Sequence, residues 1–266
     1  MLRAFGRGVA VFGATPMLLA AFTALLPAVA GAQEKKPDVP RCIAVAPMTV
    51  SPGTTVLLKI RGTKLSSATE VRFPGAAALT AVIKQKKAAE VPNGLDGKDV
   101  GDTLVEAEVV IPADCKAGAM AFVVVTPEGD ASGGSVQVRD PATVLEEKEP
   151  DNGFSEAQVV EFGRVLKGSI KEDKDVDVFR FAGRAKQRVT AELSASCCGS
   201  LLDAGLTLFD AQGQILAMND DHGKTRDPRV NVQLPADGAY FLSVNDVHDR
   251  GGAWHNYELS LKEVAP

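Results

Sequence analysis

Leu104-Val105-Glu106-Ala107-Glu108-Val109-Val110-Ile111 is the stretch that decides how this chain is read. Val105, Ala107, Val109 and Ile111 fall on one face, and Glu106 and Glu108 on the other. Period-two alternation is the signature of a half-buried β-strand. The same kind of text recurs on either side of it. Val56 to Ile60 follows the turn Ser51-Pro52-Gly53, Met120 to Thr126 stops at Pro127-Glu128-Gly129, and Ser135 to Arg139 ends the first half. In the second half Val165 to Ile170, Val176 to Phe181, Arg188 to Leu193, Leu206 to Phe209, Gln214 to Met218, Val230 to Leu234, Tyr240 to Val244 and Tyr257 to Leu261 read as strands. Nowhere is a helical period sustained; Phe154 to Gln158 has room for one short turn. Short strands punctuated by Gly and Pro predict an all-β chain of two β-sandwich domains.

The 266 residues begin with text that is not sandwich-like. Arg3 and Arg7 precede an uncharged apolar run from Val9 to Ala30, and Ala30-Gly31-Ala32 offers small residues at a cleavage point. That order predicts an N-terminal signal peptide over 1–32 and an exported protein: periplasmic, cell-surface or secreted. The rival is an uncleaved membrane anchor, since the run is long enough to span a bilayer. A polar leader (33–41), a first sandwich (42–139), a charged linker (140–148) and a second sandwich (149–266) complete the expected layout. No membrane span is expected after signal removal. The net charge of −5 becomes −7 without the two signal arginines. Mild acidity of this kind argues against nucleic acid as a partner, because phosphates call for basic patches.

Cys42, Cys115, Cys197 and Cys198 are an even set, which an oxidising compartment would permit to pair. A Cys42–Cys115 bridge would stabilise by about 4 kcal/mol in the chain-entropy picture. Cys197 and Cys198 are neighbours. Their Cα atoms should lie about 3.8 Å apart, below the usual disulfide range, so a bridge there is expected to be strained. Two unpaired thiols are the blander reading.

Two family resemblances sharpen the expectation. Pro47-Met48-Thr49-Val50-Ser51-Pro52-Gly53-Thr54-Thr55-Val56, Ile60-Arg61-Gly62-Thr63-Lys64-Leu65 and Ala68-Thr69-Glu70-Val71-Arg72-Phe73 resemble the IPT/TIG immunoglobulin-like family. Lys84 to Gly101 departs from it as an insertion or long polar loop. The second half resembles the bacterial pre-peptidase C-terminal domain. The matching text is Glu149-Pro150-Asp151-Asn152-Gly153-Phe154, then Asp175-Val176-Asp177-Val178-Phe179-Arg180-Phe181. It continues with Leu206-Thr207-Leu208-Phe209-Asp210, Asn219-Asp220-Asp221 and Gly238-Ala239-Tyr240-Phe241-Leu242-Ser243-Val244. Where that family has E-P-N-D, this chain has E-P-D-N. The resemblances imply an Ig-like sandwich followed by a jelly-roll-like one.

The second resemblance also implies a calcium site. Its candidate ligands are Glu147, Glu149, Asp151 and Asn152 in the leader segment, with Asp173, Asp175 and Asp177 farther on. Calcium takes about six to eight hard oxygen ligands. Alternation would put Asp175 and Asp177 on one face, opposite Val176 and Val178; the alternative is a solvated acidic leader and an ordinary turn. Asn219-Asp220-Asp221-His222 with Asp227, and Asp246-His248-Asp249, read as polar connections that cap turns. His222, His248 and His255 make no H-E-x-x-H, and no G-x-S-x-G occurs. Trp254, the sole tryptophan, is the candidate binding anchor, or else a plug at a sandwich edge. The expected function is non-catalytic: binding of an extracytoplasmic protein or polysaccharide. A structural spacer in an envelope complex is the alternative. A hydrolase with its site in the loops 219–227 and 246–255 comes third.

Overall fold

The computed structural model describes residues 39–264 apart from 77 and 93. The predicted signal peptide and most of the polar leader lie outside these described residues. Asp38–Pro266 forms one compact unit, and its regular elements are strands apart from three short helical turns among the described residues. Two sheets make up the first half. One has the order β1 (Arg41–Ala46), β3 (Thr55–Thr63), β6 (Thr103–Val110), β5 (Thr80–Ala88); the other has β2 (Thr49–Val50), β8 (Gly129–Val138), β7 (Gly118–Thr126), β4 (Glu70–Arg72). Val105, Ala107, Val109 and Ile111 are all buried, and they meet Phe122, Val124 and Val136 of the facing sheet. The opening stretch therefore packs as its alternation requires.

Two five-stranded sheets make the second half. The first runs β10 (Gln158–Val159), β12 (Val176–Gly183), β17 (Gly238–Asp246), β14 (Ala204–Phe209), β15 (Ile215–Asn219). The second runs β16 (Arg229–Gln233), β13 (Arg188–Ser194), β18 (Asn256–Glu263), β11 (Val165–Ser169), β9 (Val144–Glu146). Phe179, Phe181, Leu206, Leu242, Tyr257 and Leu259 fill the space between them as a separate core. The all-β, sandwich-type architecture is thus as the alternation predicts.

Two details differ from expectation, and a third stays within it. Residues 84–88 of the anticipated polar loop belong to β5, which pairs with β6 across a register shift between Ile83 and Gln85. Its hydrophilicity has a local cause. β5 is an edge strand, and Lys84 and Lys87 reach Glu108 and Glu106 at 2.8 and 3.0 Å on the open face. Charged side chains of this kind keep a sheet edge from pairing with other chains. Val144–Glu146, within the charged stretch read as a linker, lies parallel to β11 as an edge strand. Phe154 to Gln158 makes no helix.

The two sandwiches meet along a polar seam. Arg139 on the first grips Glu258 on β18, with Nη2 to Oε2 at 2.6 Å, and Thr49 Oγ1 donates to Glu258 Oε1 at 2.8 Å. Val45 N donates to Gly199 O at 2.8 Å. Glu258 is only 3% exposed, though it sits on the outer face of its strand. The first sandwich is what covers it.

Candidate metal centre

Four of the seven candidate ligands converge. One oxygen each from Glu147, Glu149, Asp151 and Asp177 can be chosen so that all lie within 4.8 Å of one another. Among the described residues this is the one group of three or more His, Cys, Asp or Glu side chains so placed. Backbone pairing brings it together. β9 runs beside β11 and delivers Glu147, whose N–H donates to Lys167 O at 2.9 Å. The chain then crosses to β12, where Val178 N donates to Asp151 O at 2.8 Å. Asp177 comes from β12 itself and shares the inner face with Phe179 and Phe181, so the strand aims it at the end of the core. Gly168 on β11 leaves the necessary room. A Cβ there would stand 2.4 Å from Glu147 Oε2 and 2.5 Å from the Tyr257 ring.

The other three oxygens go elsewhere. Asp175 Oδ2 accepts from Lys171 N at 2.7 Å and closes the turn before β12. Asp173 Oδ1 accepts from Gly251 N at 3.1 Å. Asn152 is exposed. Three residues that sequence reasoning missed shape the site: Lys171, Tyr257 and Gly168. Tyr257 stands inside a recognised strand, but nothing in the spacing says that its hydroxyl would meet Asp177.

Partnering within the cluster is uneven. Glu147 Oε2 accepts from Ser169 N at 2.5 Å, and Lys171 Nζ lies 2.6 Å from Glu147 Oε1 and 2.9 Å from Glu149 Oε1. Tyr257 donates its hydroxyl to Asp177 Oδ2. Among the described residues, neither oxygen of Asp151 has a hydrogen-bond partner, nor has Asp177 Oδ1, although both residues are 0% exposed. Buried carboxylate oxygens are ordinarily hydrogen-bonded, because burying one without a partner costs several kcal/mol. The electrostatics follow. Burial, then the neighbouring Glu149 and Glu147, pushes the Asp151 carboxyl up to about 8. Burial also pushes Asp177 up to about 8, against the Tyr257 hydrogen bond and with help from Glu147 and Asp151. Glu149 is held below its ordinary value chiefly by Lys171. Burial works against the charge on Lys171, but Glu147 and Glu149 outweigh it and hold that ammonium above its usual value.

This donor set fits a hard divalent cation. All four ligands are carboxylates, three buried oxygens await a partner, and a single ammonium balances four potential negative charges. Calcium binds oxygen donors, tolerates irregular geometry and accepts bidentate carboxylates.

The other acidic loops behave as caps. Asp227 receives the N–H groups of Ser196 and Cys197 at 2.7 and 3.1 Å. Asp246, almost wholly buried, receives those of Asp203, His248 and Arg250. His248 Nε2 reaches Asp203 at 3.3 Å, and His222 closes a bridge with Thr225. His255 is buried, and that burial lowers its pKa. Trp254 is half-buried with the Arg61 guanidinium 5.8 Å over its ring, on the wall of an open cleft of about 580 Å³. All four cysteines are unpaired.

Several known proteins are similar to this chain. The pre-peptidase C-terminal domain of a Bacillus anthracis collagenase aligns at 19% identity over 44% of this chain and all of that one, with a TM-score of 0.33. Aeromonas hydrophila PliG, a periplasmic inhibitor of g-type lysozyme, aligns at 19% identity over 46% of this chain and 98% of that one, also with a TM-score of 0.33. A probable subtilase-type serine protease of Deinococcus radiodurans is 38% identical over 100 residues, 36% of this chain. The match spans only 14% of that protease's length. Residues 175–246 match the family model of the bacterial pre-peptidase C-terminal domain; Asp177 lies inside that span, and Glu147, Glu149 and Asp151 precede it. The second sandwich therefore carries a bacterial pre-peptidase C-terminal domain.

Proposed function

We propose that this protein is an exported, non-catalytic accessory protein that engages an extracytoplasmic protein or polysaccharide, with its second sandwich stabilised by calcium. The pre-peptidase C-terminal domain supports the accessory reading, as does the stretch shared with a probable subtilase-type serine protease, of which the match spans a small part. The first sandwich, by its resemblance, is an IPT/TIG-type module. Trp254 is the proposed anchor on the partner-facing side.

One observation carries the calcium reading: Asp151 and Asp177 are buried beside Glu147 and Glu149 with oxygens that no donor reaches. Glu147, Glu149, Asp151 and Asp177 would hold the ion, which when bound supplies the positive charge these carboxylates lack. Their part is to tie the leader to β12. Thermal melting in millimolar calcium and in chelator tests this. A higher midpoint in calcium is expected; superimposable curves overturn it. Co-sedimentation of the full chain with insoluble peptidoglycan, chitin and fibrillar collagen tests the partner class. Retention that Trp254→Ala abolishes supports binding through that anchor.

The Arg139–Glu258–Thr49 seam favours a second reading, a fixed spacer between other parts of an envelope complex. In that case no polymer retains the chain, and the distance between probes on the two sandwiches stays constant when a partner is added.

A further inference from the structure

Cys197 and Cys198 lie in the short 3-10 turn Ser196–Cys198 after β13. The turn is held at both ends. Asp227 accepts from Ser196 N, Ser196 Oγ and Cys197 N at 2.7, 2.8 and 3.1 Å. Gly199 closes it at φ 87°, a conformation glycine adopts without strain. A Cβ on Gly199 would also press to 2.9 Å from Val45 Cγ1 of the first sandwich. The turn is thereby pinned against β1.

Within this clamp the two Sγ atoms stand 2.7 Å apart. Non-bonded carbon atoms settle at about 3.5–4.0 Å, and sulfur is the larger atom. A disulfide bond is about 2.04 Å long. The pair is therefore nearer to bonding distance than to ordinary contact, despite the adjacency that argues against a bridge in the sequence. Exposure differs between the two. Cys197 faces solvent, whereas Cys198 is buried and receives a hydrogen bond from Gln137 Nε2 on β8 at 3.4 Å. Cys42 and Cys115 offer no such pair. Cys42 Sγ faces Ala131 O and Cys115 Sγ lies over Lys116 O.

We infer that Cys197 and Cys198 form a redox modification site, a vicinal dithiol that a small-molecule disulfide such as glutathione disulfide converts into a vicinal disulfide. Cys197, the solvent-facing thiol, first loses its proton to solvent, a loss that the Cys198 hydrogen bond, burial and Asp227 oppose, and then attacks one sulfur of the oxidant. The oxidant's S–S bond breaks, and one glutathione thiolate leaves and takes up a proton. Cys198, losing its proton to solvent, then attacks Cys197 Sγ, and the second glutathione leaves as thiolate. The two protein thiols have given up two electrons and two protons, and the oxidant has become two thiols. The resulting ring closes through a single peptide unit. It encloses no chain loop, so its consequence is local: it removes the thiol that faces Gln137 at the seam.

Mass spectrometry of the full chain tests this. The protein is incubated with glutathione disulfide, alkylated with iodoacetamide in denaturant, and digested. The expected peptide spanning Cys197 and Cys198 is lighter by two hydrogens and carries no alkyl group, while Cys42 and Cys115 are alkylated. Dithiothreitol restores full alkylation. Cys198→Ser should trap glutathione on Cys197, since nothing is left to expel it. Alkylation of both cysteines after oxidation, glutathione retained by the native sequence, or a cross-link to Cys42, Cys115 or a second chain would each overturn the proposal. Repeating the oxidation in chelator separates this result from the calcium site.

Discussion

Two buried acidic groups in the second half meet opposite fates. Glu258 sits on the outer face of β18 and is covered by the first sandwich, which brings its own cation and donor: Arg139 at 2.6 Å and Thr49 at 2.8 Å. Asp151 and Asp177 sit at the end of the core with Glu147 and Glu149, and the described residues offer that group one half-exposed lysine, one tyrosine hydroxyl and the Ser169 N–H. Glu258, Asp151 and Asp177 are all but fully buried. The difference is where the neutralising charge comes from. At the seam it is covalently part of the chain, so the contact is permanent. At the acidic cluster the count is left open, and an ion from solution can complete it. The seam should therefore respond to mutation and ignore metal, and the cluster should do the reverse.

The largest effect is expected at the seam. Arg139→Ala leaves Glu258 buried without a counter-charge, a loss that typically costs about 3 kcal/mol. Urea unfolding should show it as a lower midpoint in calcium and in chelator alike. Glu258→Gln should cost less, because an amide can still accept from Thr49. If Arg139→Ala were neutral, the seam would be no more than a surface ion pair.

Calcium comes next. Free calcium at one hundred times its dissociation constant would add about 2.7 kcal/mol of stability. Asp177→Asn should abolish that gain. In chelator, however, the same variant should be no less stable than the native chain at neutral pH, since it replaces a carboxyl that burial keeps protonated and retains an acceptor for Tyr257. A variant harmful in chelator but still stabilised by calcium would contradict the assignment.

Acidity separates the two regions further. Asp151 and Asp177 have folded values near 8, far above the value of about 3.9 expected in the unfolded chain. Between those limits the folded state holds protons that the unfolded state has lost. Chelated protein should therefore lose stability as pH rises from about 4 to about 8, and level off above. Calcium should flatten that slope, because it competes with the protons, and its affinity should climb over the same interval. Unfolding midpoints across the range, with and without calcium, provide the check.

How much of this was legible in the sequence differs between the two regions for a physical reason. Leu104 to Ile111 declares its strand because alternation is local, and its buried and exposed residues land as read. β5 was obscured from Lys84 onward, since an edge strand has little to bury and its lysines read as loop. Glu258 looked like any outward residue of a strand; only the docking of another sandwich, over one hundred residues away in sequence, buries it. In the cluster the acids were visible, but which oxygens would meet was not. Asp175 and Asp177 are two residues apart, yet one closes a turn and the other enters the core, because the strand begins between them. The leader has no period of its own, and its geometry is set by β11 and β12.

The smallest effect falls on Lys171, where the comparison between internal and external cation becomes a direct competition. Its ammonium occupies Glu147 Oε1 and Glu149 Oε1, the oxygens that a calcium ion would also draw on. The side chain is half exposed, so its attraction is that of a surface pair, about 0.2–1 kcal/mol. Lys171→Met keeps the aliphatic stem and removes the charge. Calcium should then bind up to about fivefold more tightly, since 1.4 kcal/mol corresponds to tenfold. In chelator the same variant should melt lower, because the acids lose the one cation that the described residues place among them. Titration calorimetry and melting together give the two signs. Weaker calcium binding in Lys171→Met would mean that the lysine orients Glu147 and Glu149 for the ion instead of holding its place.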